Sequence, residues 1–474
     1  MPRLLTYLFA CLLLLTASLT GRAADTERRE RFEATWQATL PDDSPGYGVA
    51  LGEENVAIAD RVEPNAPGTL ALGFDTLNPP TKNPFNADGN VYDRPQREVS
   101  IHWNGTEVAN RLCPVELKGA KGHRVRWRVA FVPGGAEVSV RVDETDVYDR
   151  FFVAGALPGA LKGEKFSAGG AATVTGVRSG WSGRTAKPAS PVRVRAFDKV
   201  LNDKGHHRQE SRVAFPEKTD GVGRVVCTLT LEATPNGIDP WDRLAHVYLY
   251  DEKGERFDIL RYITPYRKGW TWRVDVTDLL PLLQGTKRME VFCETYAAGW
   301  LVSVDFDFYP GKLERVPYRV DKLWSATATL GQADKPVEKA LPPLTVTRPT
   351  GAKKAAVRLV VTGHGMSPNT DNAAEFLPLW RKLLVGEKQV YENNLWKTDC
   401  YLNPCRPQGG TWKFDRAGWA PGDVVAPWVV DVTRHLPAGK PTTLRYKVQP
   451  YVNKTPEPGN PARHVVEGVV IYYR

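Results

Sequence analysis

The chain has 474 residues, of which 42% are hydrophobic, and this length is enough for two to four domains with buried cores. The formal net charge is +9, but lysine and arginine are scattered among acidic residues and form no basic block. The charge pattern therefore argues against a nucleic-acid-binding protein.

Residues 1–24 have the pattern of a secretory signal peptide. Arg3 precedes an apolar run over residues 4–19, and small residues follow it up to position 24. The run is short, and no second run of membrane-spanning length occurs in the chain. We therefore expect a secreted or periplasmic protein without a membrane span, and the sequence leaves its oligomeric state open.

Five cysteines follow residue 24, and their spacing matches no zinc site. Cys400 and Cys405 are close enough in sequence to close one loop with a disulfide bond, which an exported protein can form. Cys227 and Cys293 lie in strand-like runs and are expected to be buried thiols. The sequence suggests no metal site and no other cofactor.

Residues 25–38 are charged and amphipathic, and they predict one short helix. From Gly46 onward almost every pattern is that of a β-strand. Hydrophobic and polar residues alternate over residues 99–103, 125–131 and 138–142, and Pro133-Gly134-Gly135 joins the last two runs as a hairpin. With 41 glycines and 37 prolines in the chain, this spacing favours β-sandwiches over helical folds.

Three features between Gly46 and Thr175 point to one kind of sandwich. They are the run over residues 70–76, the polar loop over residues 78–90 and the hairpin over residues 125–142. Together they resemble a concanavalin-like, lectin-like sandwich. The loop has two interpretations: it is a polar loop without a ligand, or it holds Ca²⁺ or sugar hydroxyls. The residues concerned are Asn83, Asn86, Asp88 and Asn90.

The stretch over residues 239–250 places a carboxylate at the start of a strand. A turn at Pro235-Asn236-Gly237 leads into it, and hydrophobic residues then alternate up to Tyr250. Asp242 lies between Trp241, whose indole can raise its pKa by excluding water, and Arg243, whose charge can lower it. Asp242 is therefore either a tuned acid or base, or a surface aspartate paired with Arg243.

Several further motifs follow in the chain, and their order is informative. They are residues 261–266, residues 275–278, Glu294-Thr295, residues 303–307, Ala374-Glu375, Asn403-Pro404 and residues 415–419. With Trp241-Asp242-Arg243 they resemble the peptide-N-glycosidase F family over about residues 193–474. The resemblance implies an all-β fold with two adjacent eight-stranded antiparallel jelly rolls, at residues 186–318 and 319–474, after the N-terminal sandwich at residues 25–185.

The resemblance also implies a peptide-N4-(N-acetyl-beta-glucosaminyl)asparagine amidase that acts on N-glycoproteins or glycopeptides. Asp242 takes the position of the main catalytic residue, and Glu294 and Glu375 take those of its two supporting glutamates. The family's substrate-binding positions fall on Trp241, Arg243, Tyr296, His364, Phe376, Arg416 and Trp419. We expect Asp242 to act as acid or base at the amide, Glu375 to share the water or tune Asp242, and Glu294 to bind the first N-acetylglucosamine.

Two departures from the family pattern concern the loops of this site. Ala373 and Leu377 flank Glu375 where relatives often have cysteines, and Ala420 stands where a partner for Cys400 is expected. These departures leave the stability of the loops and the glycan preference open.

Three other functions fit parts of the pattern. One is a non-catalytic carbohydrate-binding protein on the same scaffold, and another is a glycosidase that cleaves within the glycan core with Asp242 and Glu375. The third is a copper monooxygenase, which also uses paired jelly rolls. The chain's eight histidines are poorly placed for the several His ligands and the Met that such a site needs.

Overall fold

A computed structural model of the chain describes residues 27–53, 64–76, 97–186, 190–332, 334–365, 374–386, 388–450 and 460–474. The predicted signal peptide and the loop over residues 78–90, with its four candidate ligand residues, lie outside these ranges. The described residues form β-strands almost throughout, with one four-residue α-helix at Val337–Ala340. Short 3-10 helices occur at Pro158–Ala160, Thr277–Leu282, Cys400–Leu402 and Thr433–His435.

The first ten strands form a sandwich of two five-stranded antiparallel sheets, with strand orders β10-β1-β6-β7-β8 and β5-β4-β3-β2-β9. We call this unit the first sandwich. Its strands are Glu27–Leu40 (β1), Gly46–Gly52 (β2), Leu70–Asp75 (β3), Glu98–Trp103 (β4), Thr106–Leu112 (β5), Gly119–Val132 (β6), Gly135–Val142 (β7), Thr145–Ala154 (β8), Lys165–Gly170 (β9) and Thr173–Ala186 (β10).

The helix predicted for residues 25–38 is wrong, because the described part of this segment, from residue 27 onward, belongs to strand β1. Every second side chain from Phe32 to Leu40 is buried, and this period of two belongs to a strand with one face on the core. The intervening side chains face solvent, where Glu33 pairs with Arg126 and Arg128 of the neighbouring strand. Charge and length suggested a helix, but the alternation of apolar residues decided the structure.

The remaining strands form two further sandwiches with the same topology, which confirms the predicted all-β fold with two jelly rolls. The sheets of the first are ordered β11-β18-β13-β16 and β12-β17-β14-β15, and those of the second β19-β26-β21-β24 and β20-β25-β22-β23. The second pair repeats the first with every strand number raised by eight, so both units are eight-stranded jelly rolls.

The strands of the first jelly roll are Val192–Asn202 (β11), Arg208–Ala214 (β12), Val222–Glu232 (β13), Leu244–Tyr250 (β14), Arg256–Ile263 (β15), Trp270–Asp275 (β16), Thr286–Cys293 (β17) and Trp300–Pro310 (β18). Those of the second are Pro317–Thr329 (β19), Leu344–Thr347 (β20), Lys354–His364 (β21), Leu379–Val385 (β22), Lys388–Leu395 (β23), Trp428–Asp431 (β24), Pro441–Val448 (β25) and Arg463–Tyr473 (β26). Among the residues that the structure describes, no helix has the length and apolar character needed to cross a lipid bilayer.

Backbone hydrogen bonds join the two jelly rolls along the end of β15. The amide of Ile263 donates to the carbonyl of Asp423 (2.9 Å), and the amide of Val425 donates to the carbonyl of Arg261 (2.9 Å). Beside this pairing, Ile263 packs with Val360, Trp419 and Val425 in a small apolar cluster. Because directional bonds and apolar packing fix the same seam, a site built from both rolls has a rigid base.

Residues 396–427 connect β23 to β24 and carry two of the predicted site residues, Arg416 and Trp419. We call this connection the arginine loop. The amide of Gly363 on β21 donates to the carbonyl of Ala417 (2.9 Å), and the amide of Ala417 donates to the carbonyl of Glu375 (2.9 Å). Three segments of the second jelly roll therefore meet at Gly363.

We predict that Gly363→Ala destabilises the protein, because a methyl group there would lie 1.9 Å from the carbonyl oxygen of Ala374 and 2.5 Å from Cβ of Ala417. Such overpacking costs about 1–3 kcal/mol of unfolding free energy. Chemical denaturation measures the loss. Gly351→Ala is the matched control, because nothing lies within 4 Å of its added methyl group. Equal stability of the two variants would contradict the close approach at Gly363.

Candidate functional site

Asp242 lies in a short segment between a turn and the start of β14, and the end of β15 fixes this segment in place. The hydroxyl of Thr264 accepts a hydrogen bond from the amide of Arg243 (2.8 Å) and donates one to the carbonyl of Trp241 (3.2 Å). Both neighbours of Asp242 are thereby held by one side chain. The carboxylate of Asp242 is 16% exposed, so it is mostly buried and does not form the solvent-exposed ion pair that was the alternative interpretation.

A fully buried arginine connects Asp242 to a carboxylate of the other jelly roll. Nη2 of Arg416 lies 3.7 Å from Oδ2 of Asp242, and its Nε lies 3.5 Å from Oε1 of Glu375. The Arg416 side chain has no exposed surface, and that of Glu375 is 19% exposed. The two acids belong to different jelly rolls, and both therefore lie close to the charge of one buried guanidinium.

The rest of the Arg416 side chain is satisfied by its own loop. Nη1 donates to the carbonyls of Thr411 (2.7 Å) and Phe414 (3.1 Å), and Nη2 donates to the hydroxyl of Thr411 (2.5 Å). The guanidinium carbon lies 5.0 Å from the ring centre of Phe376 and 4.8 Å from that of Trp419. These contacts fix the position of the cation and exclude water from it.

Burial raises the pKa of both carboxyls, and Arg416 opposes this rise. For Asp242, the rise in pKa caused by burial is larger than the lowering caused by the charge of Arg416 and by a hydrogen bond from Tyr266. The pKa of Asp242 therefore lies above its ordinary value of 3.8. For Glu375 the burial, opposed by Arg416 and reinforced by the charge of Asp242, raises the pKa to about 7. A carboxyl that titrates near neutrality can both take and give a proton, as general acid–base chemistry requires.

Glu294 lies on the rim of this centre, at the end of β17, and is exposed. It accepts a hydrogen bond from the hydroxyl of Tyr296 (2.7 Å). Arg463, the first residue of β26, lies within electrostatic reach of both Glu294 and Glu375. Burial lowers the pKa of Arg463, and the charges of Glu375 and Glu294 act in the opposite direction. The structure therefore brings the three predicted acids to one region.

Sequence reasoning missed Asp239, which orders the segment that carries Asp242. Its carboxylate has no exposed surface and accepts hydrogen bonds from the amide of Trp241 (2.8 Å) and the hydroxyl of Thr295. It also lies 3.4 Å from Nε of Arg243. Asp239 thus ties the Asp242 segment to the residue next to Glu294. The sequence offered one indication of this role, because Asp239 lies only three residues before Asp242.

Tyr266 and Arg463 are the other contributors that sequence reasoning missed. The hydroxyl of Tyr266 lies 3.1 Å from that of Thr411, and its interaction with Asp242 lowers the pKa of that carboxyl, so Tyr266 acts on both the acid and the support of Arg416. Tyr266 ends one of the motifs that resemble the family, which could have pointed to it. Arg463 lies in no such motif, and only the paired strands of the second roll place it here.

The predicted substrate-binding aromatic residues fall into two groups. Trp241 is 58% exposed and Tyr296 is 69% exposed, and the guanidinium carbon of Arg243 lies 5.8 Å from the Tyr296 ring centre. Phe376 is half-buried beside Arg416. Exposed rings beside a charged centre are suited to stacking on sugar rings.

Trp419 and His364 do not present a face to solvent. Trp419 is 4% exposed, and its indole donates to the carbonyl of Gly363 (2.7 Å). His364 is 8% exposed and stacks on Trp419 with ring centres 5.3 Å apart. Burial holds the pKa of His364 well below its ordinary value, so the ring is neutral. These two residues support Arg416 from behind, and they are not placed to touch a substrate directly.

The expected disulfide bond between Cys400 and Cys405 is absent, because both are free and buried thiols. Sγ of Cys400 lies 3.5 Å from the carbonyl oxygen of Trp419 instead. Burial raises the pKa of each thiol to about 12, which keeps both protonated. Cys227 and Cys293 are buried thiols, as predicted. Within the described ranges, no group of three or more His, Cys, Asp or Glu side chains converges as a metal site would require.

Comparisons with known proteins show which proteins this chain is similar to. Residues 334–468 match the family model for peptide-N-glycosidase F, C terminal. The chain is 29% identical over 307 residues to the peptide-N(4)-(N-acetyl-beta-D-glucosaminyl)asparagine amidase F of Elizabethkingia miricola, an alignment that covers 60% of this chain and 84% of that protein. The solved structure of PNGase F, a glycosylasparaginase from Flavobacterium meningosepticum, superposes with a TM-score of 0.54 at 26% identity.

These matches support a relationship of this chain to the peptide-N-glycosidase F family. The superposition covers 96% of the Flavobacterium structure but 60% of this chain. A large part of this chain therefore has no counterpart in that member of the peptide-N-glycosidase F family.

We predict that Glu375→Gln stabilises the protein above neutral pH. The pKa of Glu375 is 4.5 ordinarily and about 7 in the folded state, so its contribution to stability is present below pH 4.5 and is lost as pH rises to about 7. Glutamine does not ionise and avoids this loss. We expect the variant to gain about 1–3 kcal/mol of unfolding free energy near pH 8.

Urea denaturation at several pH values measures this difference between Glu375→Gln and the unmodified protein. Near pH 4 the two proteins should be equally stable, because Glu375 is then protonated. A variant that is less stable at high pH would show that the ion pair with Arg416 outweighs the cost of burying the carboxylate.

Proposed function

We propose that this protein hydrolyses the amide bond between an asparagine side chain and the first N-acetylglucosamine of an N-linked glycan. The products are aspartate and the glycosylamine, and the substrates are N-glycoproteins or glycopeptides. The observation that carries the proposal is the buried Arg416, which lies between Asp242 and Glu375 at the seam of the two jelly rolls. The relative from Elizabethkingia miricola, whose name describes this activity, supports it.

The two acids have different parts in the proposed reaction. Glu375, whose pKa is about 7, accepts a proton from the attacking water in its ionised form. Glu375 then gives this proton to the nitrogen that leaves, and Asp242, whose negative charge raises the pKa of Glu375, holds the attacking water by accepting a hydrogen bond from it. The developing negative charge on the amide oxygen is stabilised by Arg416 through its field and by Arg243, whose side chain is 22% exposed, by direct contact.

The rim residues are proposed to hold the first sugar. Glu294 accepts hydrogen bonds from its hydroxyl groups, and Trp241 and Tyr296 pack against its ring. We also propose that residues 1–24 direct export, so that the enzyme meets its glycoprotein substrates outside the cytoplasm. The units at residues 25–185, 186–318 and 319–474 are the proposed domains, the first of them lectin-like.

We predict that Asp242→Asn lowers glycan release by at least about 100-fold, because a neutral amide neither holds the attacking water as a carboxylate does nor raises the pKa of Glu375 by its charge. Mass spectrometry of a treated glycopeptide measures release and shows Asn converted to Asp. Asp220→Asn, at an exposed position in a turn, is the control and should keep full activity. Unchanged turnover by Asp242→Asn would refute its assignment. A peptide that keeps one N-acetylglucosamine would identify a glycosidase instead.

We predict that kcat/KM rises with pH through about pH 7, because the ionised form of Glu375 accepts the proton from water. Glu375→Gln should lose most activity, and its residual kcat/KM should not show this rise, which we call the rising limb of the pH profile. The measurement is a pH profile of release from one fluorescent glycopeptide. If the variant keeps the limb, another group titrates there and Glu375 is not the base.

A further inference from the structure

In the described part of the chain, ion pairs join the first sandwich to the jelly rolls at two places, and residues of both places line one cavity of about 1250 Å³. Both contacts contribute to the lining of this cavity, Glu107 from one and Glu137 and Arg224 from the other. Each contact involves a different part of the jelly rolls, strand β13 at Arg224 and the arginine loop at Arg406.

The contact away from the candidate site joins the first sandwich to strands of the first jelly roll. Glu137 lies 3.1 Å from Nη2 of Arg224, and Nη1 of Arg224 lies 2.6 Å from Asp275. Arg224 also lies 4.0 Å from the ring centre of Phe152. Next to this pair, a methyl group on Gly134 would lie 2.8 Å from the Tyr309 ring, so the two units are closely packed here.

The other contact joins the first sandwich to the arginine loop. Both carboxylate oxygens of Glu107, on β5, accept hydrogen bonds from the guanidinium of Arg406, one of them at 2.7 Å from Nη2. The Glu107 side chain is 10% exposed and that of Arg406 is 24% exposed. A bidentate and largely buried pair of this kind has a defined geometry, unlike a solvated surface pair.

From Arg406, contacts continue through the loop to the charged centre. Arg406 donates from its amide to the carbonyl of Asn403 (2.9 Å), and the Asn403 side chain donates to the carbonyl of Pro421 (2.7 Å). Gln408 donates to the same carbonyl (2.8 Å) and accepts from the amide of Tyr266 (3.1 Å). Tyr266 then contacts Thr411 and Asp242, and Thr411 holds Arg416.

No covalent cross-link holds this loop, since its two cysteines are free thiols. The loop is long and contains one 3-10 turn, Cys400–Leu402, as its regular structure. Long connections are costly to order, and those that carry functional residues must be held by contacts with their surroundings. The pair between Glu107 and Arg406 is such a contact, and it comes from a different domain.

We propose that Glu107 of the first sandwich is a positioning residue for the amidase site, which acts through Arg406 and the arginine loop to fix Arg416 between Asp242 and Glu375. The inference rests on the proposed function for its catalytic consequence. It gives the first sandwich a part in the reaction itself, in addition to any binding of carbohydrate.

The test compares Glu107→Gln with Glu137→Gln in the full-length protein. Both variants remove one carboxylate that the first sandwich presents to an arginine of the jelly rolls, and only Glu107 contacts the arginine loop. We expect Glu107→Gln to lower kcat about 10-fold with KM within about twofold, since misplacing a catalytic group costs rate rather than binding. Glu137→Gln should leave kcat within about twofold.

Two further readouts separate positioning from general loss of structure. In Glu107→Gln the rising limb of the kcat/KM profile should move to higher pH, because a displaced Arg416 no longer favours the charged form of Glu375. The double variant Glu107→Gln/Arg406→Gln should be no slower than the slower single variant, because the two residues act as one unit. A fully additive loss, or a limb that does not move, would overturn the proposal.

Hydrogen exchange tests the same inference without enzymatic activity. Amides of residues 400–420 should exchange faster in Glu107→Gln than in the unmodified protein, and Glu137→Gln should leave them unchanged. Equal exchange of this loop in all three proteins would refute the positioning role. If the unmodified protein releases no glycan but the loop responds in this way, the proposed function fails and the contact between the domains stands.

Discussion

The candidate site depends on one fully buried positive charge, the guanidinium of Arg416. A cation without exposed surface is tolerated only where counter-charges and hydrogen-bond acceptors surround it. One jelly roll supplies Asp242 and the other supplies Glu375, and carbonyl groups of the arginine loop satisfy the remaining donors. Neither roll can build this arrangement alone. The pairing of β15 with the arginine loop, and the approach of three segments at Gly363, are therefore conditions for the site as well as for the fold.

The same arrangement explains why the acids are suited to proton transfer. Two carboxylates share one arginine, so the attraction of that arginine does not fully offset the burial of both, and their pKa values rise. A second cation in direct contact would hold both acids ionised and remove them from acid–base chemistry. The single charge of Arg416 cannot neutralise two buried carboxylates. The ionised carboxyls that serve catalysis therefore lower the stability of the folded state.

The sequence predicted those parts of the molecule whose pattern is local. Alternating strands gave the all-β fold, and the motifs around Asp242, Glu294 and Glu375 gave the three acids. Residues 25–38 show the limit of this reasoning, because their charge suggested a helix while the alternation from Phe32 to Leu40 made a strand. Asp239, Tyr266 and Arg463 were missed since their roles come from partners far away in the chain. Motif position likewise could not show that Trp419 and His364 are buried behind Arg416 rather than exposed to a substrate.

The division between a buried centre and an exposed rim has a consequence for the proposed reaction. Trp241 and Tyr296 leave large parts of their rings in solvent, whereas Asp242 and Glu375 are already mostly covered. A sugar ring that packs on the rim removes the remaining water from the acids, which strengthens their interaction with Arg416 and with a developing oxyanion. The glycan thereby completes the environment in which its own bond is cleaved. An asparagine without a sugar cannot cover the rim, so the proposed reaction favours glycosylated over free asparagine.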